Sequence, residues 1–288
     1  MIYGDRELEV IVTGATGAQG AFHIQLMNEY AKEVGGKGVV AGITPGKGGQ
    51  SVHGVPVYNS IRDALSEHDA RASVLFVPAV AAGDSIMEAA TAGLELVVAI
   101  TEHIPVHDAM RAIAFAKLND CLVVGPNCPG ILSPGEVKLG IMPVHLATRG
   151  SIGVISRSGT LTYEIVDELT RAGLGQSTIV GIGGDPVIGQ TFVDVLRCFE
   201  DDTQTEAVVL IGEVGGNLEE EGVKFTDMPV AAYIAGLSAP PEKRMGHAGA
   251  IIEGGEGDAK SKIKRLKELG VPVASRPSEI PRLVKELL

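Results

Sequence analysis

Short runs of apolar residues alternate along the chain with longer segments in which apolar residues recur every three or four positions. The short runs predict buried β-strands, and the longer periodic segments predict helices. In the first half, the predicted strands are residues 9–13, 38–43, 72–77, 94–100 and 122–125, and the predicted helices are 21–32, 61–66, 85–92 and 109–118. Strands that are separated by single helices form parallel sheets through right-handed crossovers.

The alternation breaks near residues 143–150, where proline, glycine and polar residues cluster, and then resumes. In the second half, the predicted strands are 152–156, 178–182, 207–211, 230–234, 250–252 and 271–274, and the predicted helices are 161–172, 191–200, 259–269 and 278–287. We therefore predict an α/β protein with two consecutive domains, residues 1–146 and residues 147–288.

The composition fits this class and argues against one group of partners. Of the 288 residues, 38 are glycine, 45% are hydrophobic and only 4% are aromatic, so helices can lie close to the strands of a parallel sheet. The formal net charge is −12, from 24 basic and 36 acidic residues. A nucleic-acid-binding protein needs clustered lysine and arginine to hold phosphates, so we expect no nucleic-acid partner.

The cysteines and the apolar segments indicate where the protein is found. Cys121, Cys128 and Cys198 show no paired spacing, which favours a reducing compartment over a disulfide framework. The N-terminus carries no signal-peptide pattern, and no segment approaches the roughly 20 apolar residues of a membrane helix. We therefore expect a cytoplasmic protein without a membrane partner.

The first predicted strand runs into a glycine-rich turn, TGATGAQG at residues 13–20, and then into a helix. Glycines at such a turn let an anionic ligand approach the helix N-terminus, where free N–H groups and the helix dipole favour a pyrophosphate. A turn that only packs a strand against a helix is the alternative, because a single glycine motif is weakly specific.

Nicotinamide-dependent oxidoreductases of the short-chain type have a similar turn, but two of their further features are missing. The second predicted strand ends in GITPGKGG at residues 42–49, without the acidic residue that binds the ribose. None of the five tyrosines is followed four residues later by lysine. Lys47 instead favours another phosphate-bearing nucleotide, as a mobile charge on a glycine-flanked turn, with an ordinary surface lysine as the alternative.

A second strand-to-helix turn, SRSGT at residues 156–160, opens the second domain. Ser158 and Thr160 are residue types that cap helices. Backbone amides that a cap leaves unused can still bind an anion, so the two functions are compatible. We predict that Ser158, Gly159 and Thr160 bind phosphate.

The most informative segment is KRMGHAGAI at residues 243–251, in which His247 lies between Gly246 and Gly249. Glycine gives the backbone the freedom that a histidine needs if it carries a group between two sites. Such an imidazole can accept and pass on a phosphoryl group, although an ordinary loop histidine also fits the segment when it is taken alone. Glu213, at the end of a predicted strand, would then orient the imidazole or would be a solvated loop glutamate.

No metal site is predicted. His103 and His107 are four residues apart, but Pro105 between them disfavours a continuous helix. No cysteine or carboxylate pattern completes a zinc site.

Together these residues give the chain a resemblance, nearly from end to end, to the alpha subunits of succinyl-CoA synthetase (succinate–CoA ligase). Five blocks in the same order carry the resemblance: GKGG at 46–49, GPNCPG at 125–130, SRSGTLTYE at 156–164, GIGGDP at 181–186 and the segment around His247. The resemblance implies a Rossmann-type CoA-binding domain followed by a flavodoxin-like ligase domain that carries the phosphohistidine.

The resemblance also implies the roles of individual residues. It makes His247 the transiently phosphorylated residue, Glu213 the residue that orients it and Tyr163 a substrate contact. It places contacts to CoA at Thr16, Gly17, Ala18, Gln19, Lys47, Ile100, Thr101 and Glu102. Ala18 stands where relatives often have serine, so one hydroxyl contact to CoA would be absent.

The reaction implied is the reversible formation of succinyl-CoA through a phosphohistidine and an acyl phosphate, with CoA as a substrate. MgATP or MgGTP would bind the ATP-grasp domain of a beta subunit, and the sequence does not distinguish the two nucleotides. A malate–CoA ligase alpha subunit has a similar pattern and remains an alternative. A CoA-binding module without catalysis is the other, although such a module has no need of His247 in its glycine-rich setting.

Overall fold

The computed structural model describes residues 2–238, 247, 249–250 and 257–288. The chain forms two compact units. The N-terminal unit contains Tyr3–Met142 and the short return segment Val187–Gly189. The C-terminal unit contains Pro143–Pro186 and Gln190–Leu288.

The N-terminal unit is built on a parallel sheet. Its strands are β1 (Glu9–Thr13), β2 (Gly38–Ile43), β3 (Ser51–Val52), β4 (Val55–Tyr58), β5 (Ala72–Leu75), β6 (Leu96–Ala99) and β7 (Leu122–Val124), in the spatial order β3-β4-β2-β1-β5-β6-β7. Only β3 pairs antiparallel, with β4. Counted in chain order, the parallel strands read 3-2-1-4-5-6, which is the Rossmann order.

Four helices cover this sheet: α1 (Ala18–Val34), α2 (Ile61–Leu65), α3 (Ala79–Thr91) and α4 (Val106–Leu118). Strand residues such as Ile11 and Leu75 pack in one core with Ile86, Ala89 and Ala112 of α3 and α4. Alanine on the helix faces lets α3 and α4 approach the sheet closely. An antiparallel hairpin of β8 (Gly130–Ser133) and β9 (Val137–Gly140) completes the unit, and β9 contacts α1.

In the described part of the C-terminal unit there are five parallel strands, β10 (Arg149–Ser156), β11 (Gln176–Gly181), β12 (Ala207–Gly212), β13 (Val230–Ile234) and β14 (Val273–Ala274). Their spatial order, β11-β10-β12-β13-β14, reads 2-1-3-4-5 in chain order and is the flavodoxin-like order. The helices are α5 (Gly159–Arg171), α6 (Phe192–Glu200), α7 (Leu218–Lys224), α8 (Ala259–Glu268) and α9 (Ile280–Leu287). The predicted fold class, a Rossmann-type unit followed by a flavodoxin-like unit, is therefore confirmed.

Several elements differ from the sequence-based prediction. The short strands β3, β4, β8 and β9 were not predicted, because they lie in segments rich in glycine and proline. Helix α3 begins at Ala79, six residues earlier than predicted, because its first turns are almost entirely alanine, valine and glycine and show no periodic contrast. Of the predicted strand 250–252, Ala250 lies outside any strand and the other two positions lie outside the described residues.

Helix α7 was also missed, since its acidic sequence resembles a solvated loop. Among the described residues, no helix is long and apolar enough to cross a membrane.

Candidate active site

Three neighbouring strands of the C-terminal unit, β11, β10 and β12, end at the same edge of its sheet. The chain leaves β10 for β11 on one side and then returns to β12 on the other, so β10 and β12 flank a topological switch point. In open α/β sheets, ligands bind outside the carboxyl ends of the strands at this point. Arg157 and Ser158 follow β10, Gly184 follows β11 and Glu213 follows β12.

His247 and Glu213 form a hydrogen-bonded pair at this edge. His247 Nδ1 lies 2.9 Å from Oε2 and 3.0 Å from Oε1 of the Glu213 carboxylate. An ionised carboxylate only accepts, so Nδ1 carries the proton, and Nε2 of the neutral ring keeps its lone pair. The Glu213 side chain is 9% exposed and that of His247 is 28% exposed. The Glu213 carboxylate is therefore held in the protein interior, whereas the His247 ring is partly accessible to solvent.

The surroundings of His247 change its proton affinity. The hydrogen bond to Glu213 raises the pKa of His247, with the charge of Glu213 and that of Asp185 adding to the effect. Burial and the charge of Arg157 act in the opposite direction. The net effect is a raised pKa, so the imidazole becomes neutral and nucleophilic at a higher pH than a free histidine.

Gly184 makes room for the imidazole. A Cβ atom added to Gly184 would collide with Cγ and Nδ1 of His247, too close for any side chain to be accepted. The backbone also joins the two segments, since the Gly249 N–H donates to the Gly184 carbonyl at 3.0 Å. The loop after β11 therefore forms a close-fitting wall beside the His247 ring.

Helix α5 presents its N-terminus at the same sheet edge. Ser158 is the N-cap, and its hydroxyl accepts a hydrogen bond from the Leu161 N–H at 3.4 Å. Of the two predicted capping residues, Ser158 is the N-cap, whereas Thr160 lies exposed in the first turn. The N–H groups of Gly159 and Thr160 have no acceptor within the helix, so they can bind an anion. Phosphate binding by these three residues remains a prediction.

Arg157 lies in a buried group of charges that the sequence analysis did not identify. Its Nη1 donates to the Gly215 carbonyl at 3.1 Å and to Glu219 Oε1 at 3.2 Å, and its Nη2 lies 3.6 Å from Glu213 Oε1. Lys262 Nζ donates to Glu219 Oε2 at 2.5 Å and to the Gly215 carbonyl at 2.9 Å. Burial raises the pKa of Glu219, but the charges of Lys262 and Arg157 outweigh it and hold the pKa below its usual value.

Two sequence signals could have revealed these residues. Lys262 lies on the buried face of α8 between Ala259 and Leu266, at the spacing of an apolar stripe. Glu219 begins an acidic run that is usually solvated, yet both Glu219 and Glu220 are buried. A charge in an apolar stripe, or a buried acid, requires a partner.

The predicted CoA contacts of the N-terminal unit lie in loops at the carboxyl edge of its sheet, except Ala18 and Gln19, which begin α1. Thr16 and Gly17 follow β1, Lys47 follows β2, and Ile100, Thr101 and Glu102 follow β6. The Thr16 amide and hydroxyl each lie 3.3 Å from the Thr44 hydroxyl, which joins the first two loops. The Thr101 hydroxyl donates to the Val77 carbonyl at 2.8 Å, which joins the loops after β6 and β5.

The N-terminus of α1 is suited to a negatively charged ligand. Its N-cap is Gly17, no side chain caps the helix, and its first turn contains no acidic residue. Gly17, Ala18, Gln19 and Lys47 are exposed. Gly14, at φ 86°, allows the preceding turn, since a Cβ there would lie 2.5 Å from the Phe76 carbonyl oxygen. Tyr163 is half-buried on α5 of the other unit, and its substrate contact remains a prediction.

In the part of the chain that the structure describes, no group of three or more histidine, cysteine, aspartate or glutamate residues is arranged to hold a metal ion. His103 precedes α4 with φ 63°, while His107 lies on α4, so the two do not share a helix.

Comparisons with known proteins agree with this geometry. Residues 5–103 match the CoA binding domain model, and residues 155–271 match the CoA-ligase model. The succinate–CoA ligase [ADP-forming] subunit alpha 2 of Archaeoglobus fulgidus is 55% identical over 287 residues, covering 99% of this chain and 98% of that protein. The chain belongs to the family of succinate–CoA ligase alpha subunits. The family member of Aquifex aeolicus is 52% identical, covering 99% of this chain and 93% of that subunit.

The fold also occurs in a larger enzyme. The structure of ATP citrate lyase from Methanothrix soehngenii, in complex with citrate and coenzyme A, has a TM-score of 0.90 at 23% identity. The match covers 99% of this chain but only 50% of the lyase chain, so it concerns the fold alone. Family membership confirms a ligase with a CoA-binding domain, and the name of the succinate–CoA ligase alpha subunits implies a partner subunit.

Proposed function

We propose that this chain is the alpha subunit of an ADP-forming succinate–CoA ligase and that His247 Nε2 carries the phosphoryl group during the reaction. The hydrogen bond between His247 Nδ1 and Glu213, at 2.9 Å, is the observation that carries the proposal. It leaves Nε2 as the nucleophilic nitrogen, and α5 begins at the same edge of the sheet. The relatives' names, succinate–CoA ligase [ADP-forming], support the acid and the nucleotide.

In the first step, the Nε2 lone pair attacks the γ-phosphorus of the nucleotide. The bond from that phosphorus to the bridging oxygen breaks, and the nucleoside diphosphate leaves with the electron pair. The ring keeps its Nδ1 proton and gains positive charge, which Glu213 offsets. The free amides at the start of α5, with the helix dipole, stabilise the negative phosphoryl oxygens.

In the second step, a carboxylate oxygen of succinate attacks the phosphorus, and the Nε2–P bond breaks. Imidazole suits this exchange because it is a good nucleophile near neutral pH and leaves readily once the ring is cationic. The product is an acyl phosphate, whose carbonyl carbon is then attacked by the CoA thiolate with release of inorganic phosphate. Each step is reversible. Tyr163 of α5 is proposed to contact the acid.

For the other substrates, we propose that residues 1–146 bind CoA and that residues 147–288 carry the phosphohistidine. The uncapped N-terminus of α1 fits the CoA diphosphate, and the exposed Lys47 supplies a mobile positive charge. The remaining contacts are assigned to Thr16, Gly17, Ala18, Gln19, Ile100, Thr101 and Glu102. The magnesium–nucleotide complex is assigned to the ATP-grasp domain of a beta subunit.

Phosphorylation resolved to single residues tests the proposal. The chain is copurified with its beta partner, treated with MgATP or MgGTP, and analysed under conditions that preserve phosphohistidine. We expect phosphate on His247 that disappears when CoA and succinate are added, but not when CoA and malate are added. The His247→Asn variant should lose the phosphate and keep CoA binding.

Two results would change this conclusion. Discharge by CoA and malate, but not by CoA and succinate, would replace the acid and keep the mechanism. Absence of phosphate in an intact complex that binds CoA would contradict the mechanism itself.

A further inference from the structure

We infer that Arg157, Glu219 and Lys262, hereafter the ionic cluster, are positioning residues that hold the Glu213 carboxylate against His247. This inference rests on the proposed function of His247. Among the described residues, none of the three donates a hydrogen bond to the imidazole. Apart from the charge of Arg157, which lowers the pKa of His247, they act on the reaction through Glu213 and its backbone.

Glu219 is the centre of the ionic cluster because both of its oxygens are used. Oε1 accepts from the Glu213 backbone N–H at 3.1 Å and from Arg157 Nη1 at 3.2 Å. Oε2 accepts from Lys262 Nζ at 2.5 Å. One carboxylate of α7 thus fixes the main chain at Glu213 and the guanidinium beside the Glu213 side chain.

Burial makes stabilisation of the fold alone a weak explanation for these charges. The side chains of Arg157, Glu219 and Lys262 are 3%, 0% and 0% exposed. Well-packed apolar residues in place of a buried ion pair often leave a protein equally or more stable. Arg157 Nε is also buried and has no hydrogen-bond partner among the described residues, which is a further cost. The presence of charged residues in the ionic cluster is explained if they position the Glu213 carboxylate.

The balance of charge explains how the ionic cluster acts. The two positive charges of Arg157 and Lys262 are equal in number to the two negative charges of Glu213 and Glu219. The Arg157 guanidinium lies near both carboxylates. Its Nη1 is hydrogen-bonded to Glu219, while its Nη2 stays 3.6 Å from Glu213 Oε1, beyond a normal hydrogen bond. Glu213 can therefore direct both oxygens at His247 Nδ1. Without the Glu219 charge, Arg157 would turn to Glu213 and compete with the imidazole.

The variant Glu219→Gln tests this competition in the complex with the beta partner. The measurement is the rate of a single round of His247 phosphorylation by MgATP, followed across pH. The acid limb of this profile reports the pKa of His247, because only the ring with unprotonated Nε2 reacts. Among the described residues, the charged groups that act on His247 are Glu213, Arg157 and Asp185.

We expect the plateau rate in Glu219→Gln to fall about 10- to 100-fold, the range that is typical when a metal-ligating histidine loses its outer partner. The acid limb should also move to lower pH, since the imidazole loses part of its contact with Glu213. The matched control is Glu221→Gln on the same helix, where the carboxylate is partly exposed and pairs only with Lys224. The control should leave both quantities unchanged.

The double variant Glu219→Gln/Lys262→Met tests whether the effect of Glu219→Gln is only a loss of stability. It removes the cation that Glu219→Gln leaves unpaired, so that Arg157 faces Glu213 alone. We expect this variant to recover thermal stability but to keep the low rate and the shifted acid limb. If the acid limb of either variant is the same as in the wild-type chain, the inference is overturned. The proposed function is still upheld in that case, provided that the wild-type chain is phosphorylated. Failure of the wild-type chain to be phosphorylated would instead refute the function.

Discussion

At the residue scale, one hydrogen bond determines which nitrogen of His247 is available to react. Glu213 accepts a hydrogen bond from Nδ1, so the neutral ring carries its proton on Nδ1 and its free lone pair on Nε2. The same contact raises the pKa of His247. A group whose pKa is raised in the folded chain stabilises that chain below its unfolded pKa, and the contribution is lost as pH rises through the folded pKa. As pH rises through this folded-state pKa, the imidazole also loses its proton on Nε2 and becomes nucleophilic.

Replacement of Glu213 by Gln should separate these effects. The amide removes the charge that raises the pKa of His247, so the acid limb of His247 phosphorylation should move down towards pH ~6.5, the ordinary value for histidine. The plateau rate should fall about 10²- to 10⁴-fold, because the tautomer is no longer fixed. Rapid-quench measurement across pH checks both changes. Glu206→Gln, an exposed position of the same unit, is the control, and an unshifted acid limb would contradict the assignment.

Gly184→Ala should remove phosphorylation without affecting CoA binding. The added Cβ would collide with Cγ and Nδ1 of His247, so the imidazole must move away from Glu213. Phosphorylation and CoA affinity are measured on the same preparation. Gly83→Ala within α3 is the matched control, since its Cβ would make ordinary contact with Asp108 at 3.5 Å. Wild-type phosphorylation in Gly184→Ala would show that the ring does not need this space.

At the element scale, both units present a helix N-terminus at the carboxyl edge of a parallel sheet. The two ends differ in their caps. Helix α5 is capped by the Ser158 hydroxyl, whereas α1 has Gly17 as its N-cap and no side-chain acceptor. More of the first-turn amides of α1 remain available, which fits the larger charge of a diphosphate.

Ala18→Asp tests the role of the α1 N-terminus. An acid in the first turn should stabilise the free helix by about 0.3–1 kcal/mol through the helix dipole. The same charge should repel the CoA diphosphate and weaken CoA binding about 10-fold, or 1.4 kcal/mol. Calorimetric titration and thermal unfolding measure the two effects. Leu118→Glu adds one negative charge at an 84% exposed position of α4 and should leave CoA affinity unchanged.

At the scale of the whole molecule, the two units have different strand orders but the same principle of site construction. Each sheet is mostly parallel, and each has candidate residues in the loops that follow its strands or in the first turns of the next helix. The chain forms two compact units, and we predict that a ligand bound to one of them stabilises that unit more than the other.

Hydrogen exchange with CoA tests this division. At a CoA concentration of about 100 times Kd, the N-terminal unit should gain about 2.7 kcal/mol in its free energy of unfolding. Protection should be largest in the loops after β1, β2 and β6. Pantetheine, which lacks the diphosphate and the adenosine, should leave the first two loops unprotected. Protection confined to the C-terminal unit would contradict the assignment of CoA to residues 1–146.

The sequence by itself determined the fold class, most strands and the glycine-rich turns, because these depend on local patterns. A buried strand needs a short apolar run, and a helix needs its own periodicity. The predicted bounds of β1, β2 and β13 agree with the structure at both ends. Helix α3 was only partly predicted and α7 was missed, because alanine-rich and acidic helices show little contrast between their faces.

Only the tertiary structure decided how the charges are arranged around Glu213. His247 and Glu213 are 34 positions apart, Lys262 and Glu219 are 43 apart, and Arg157 and Glu219 are 62 apart. No local pattern relates residues at such separations. Their pairing follows from the side-by-side alignment of parallel strands, whose carboxyl ends meet at one edge, and from the contact between α7 and α8. Burial then requires each charge to find a partner. The sequence thus contained the candidate histidine, and the fold decided which side chains surround it.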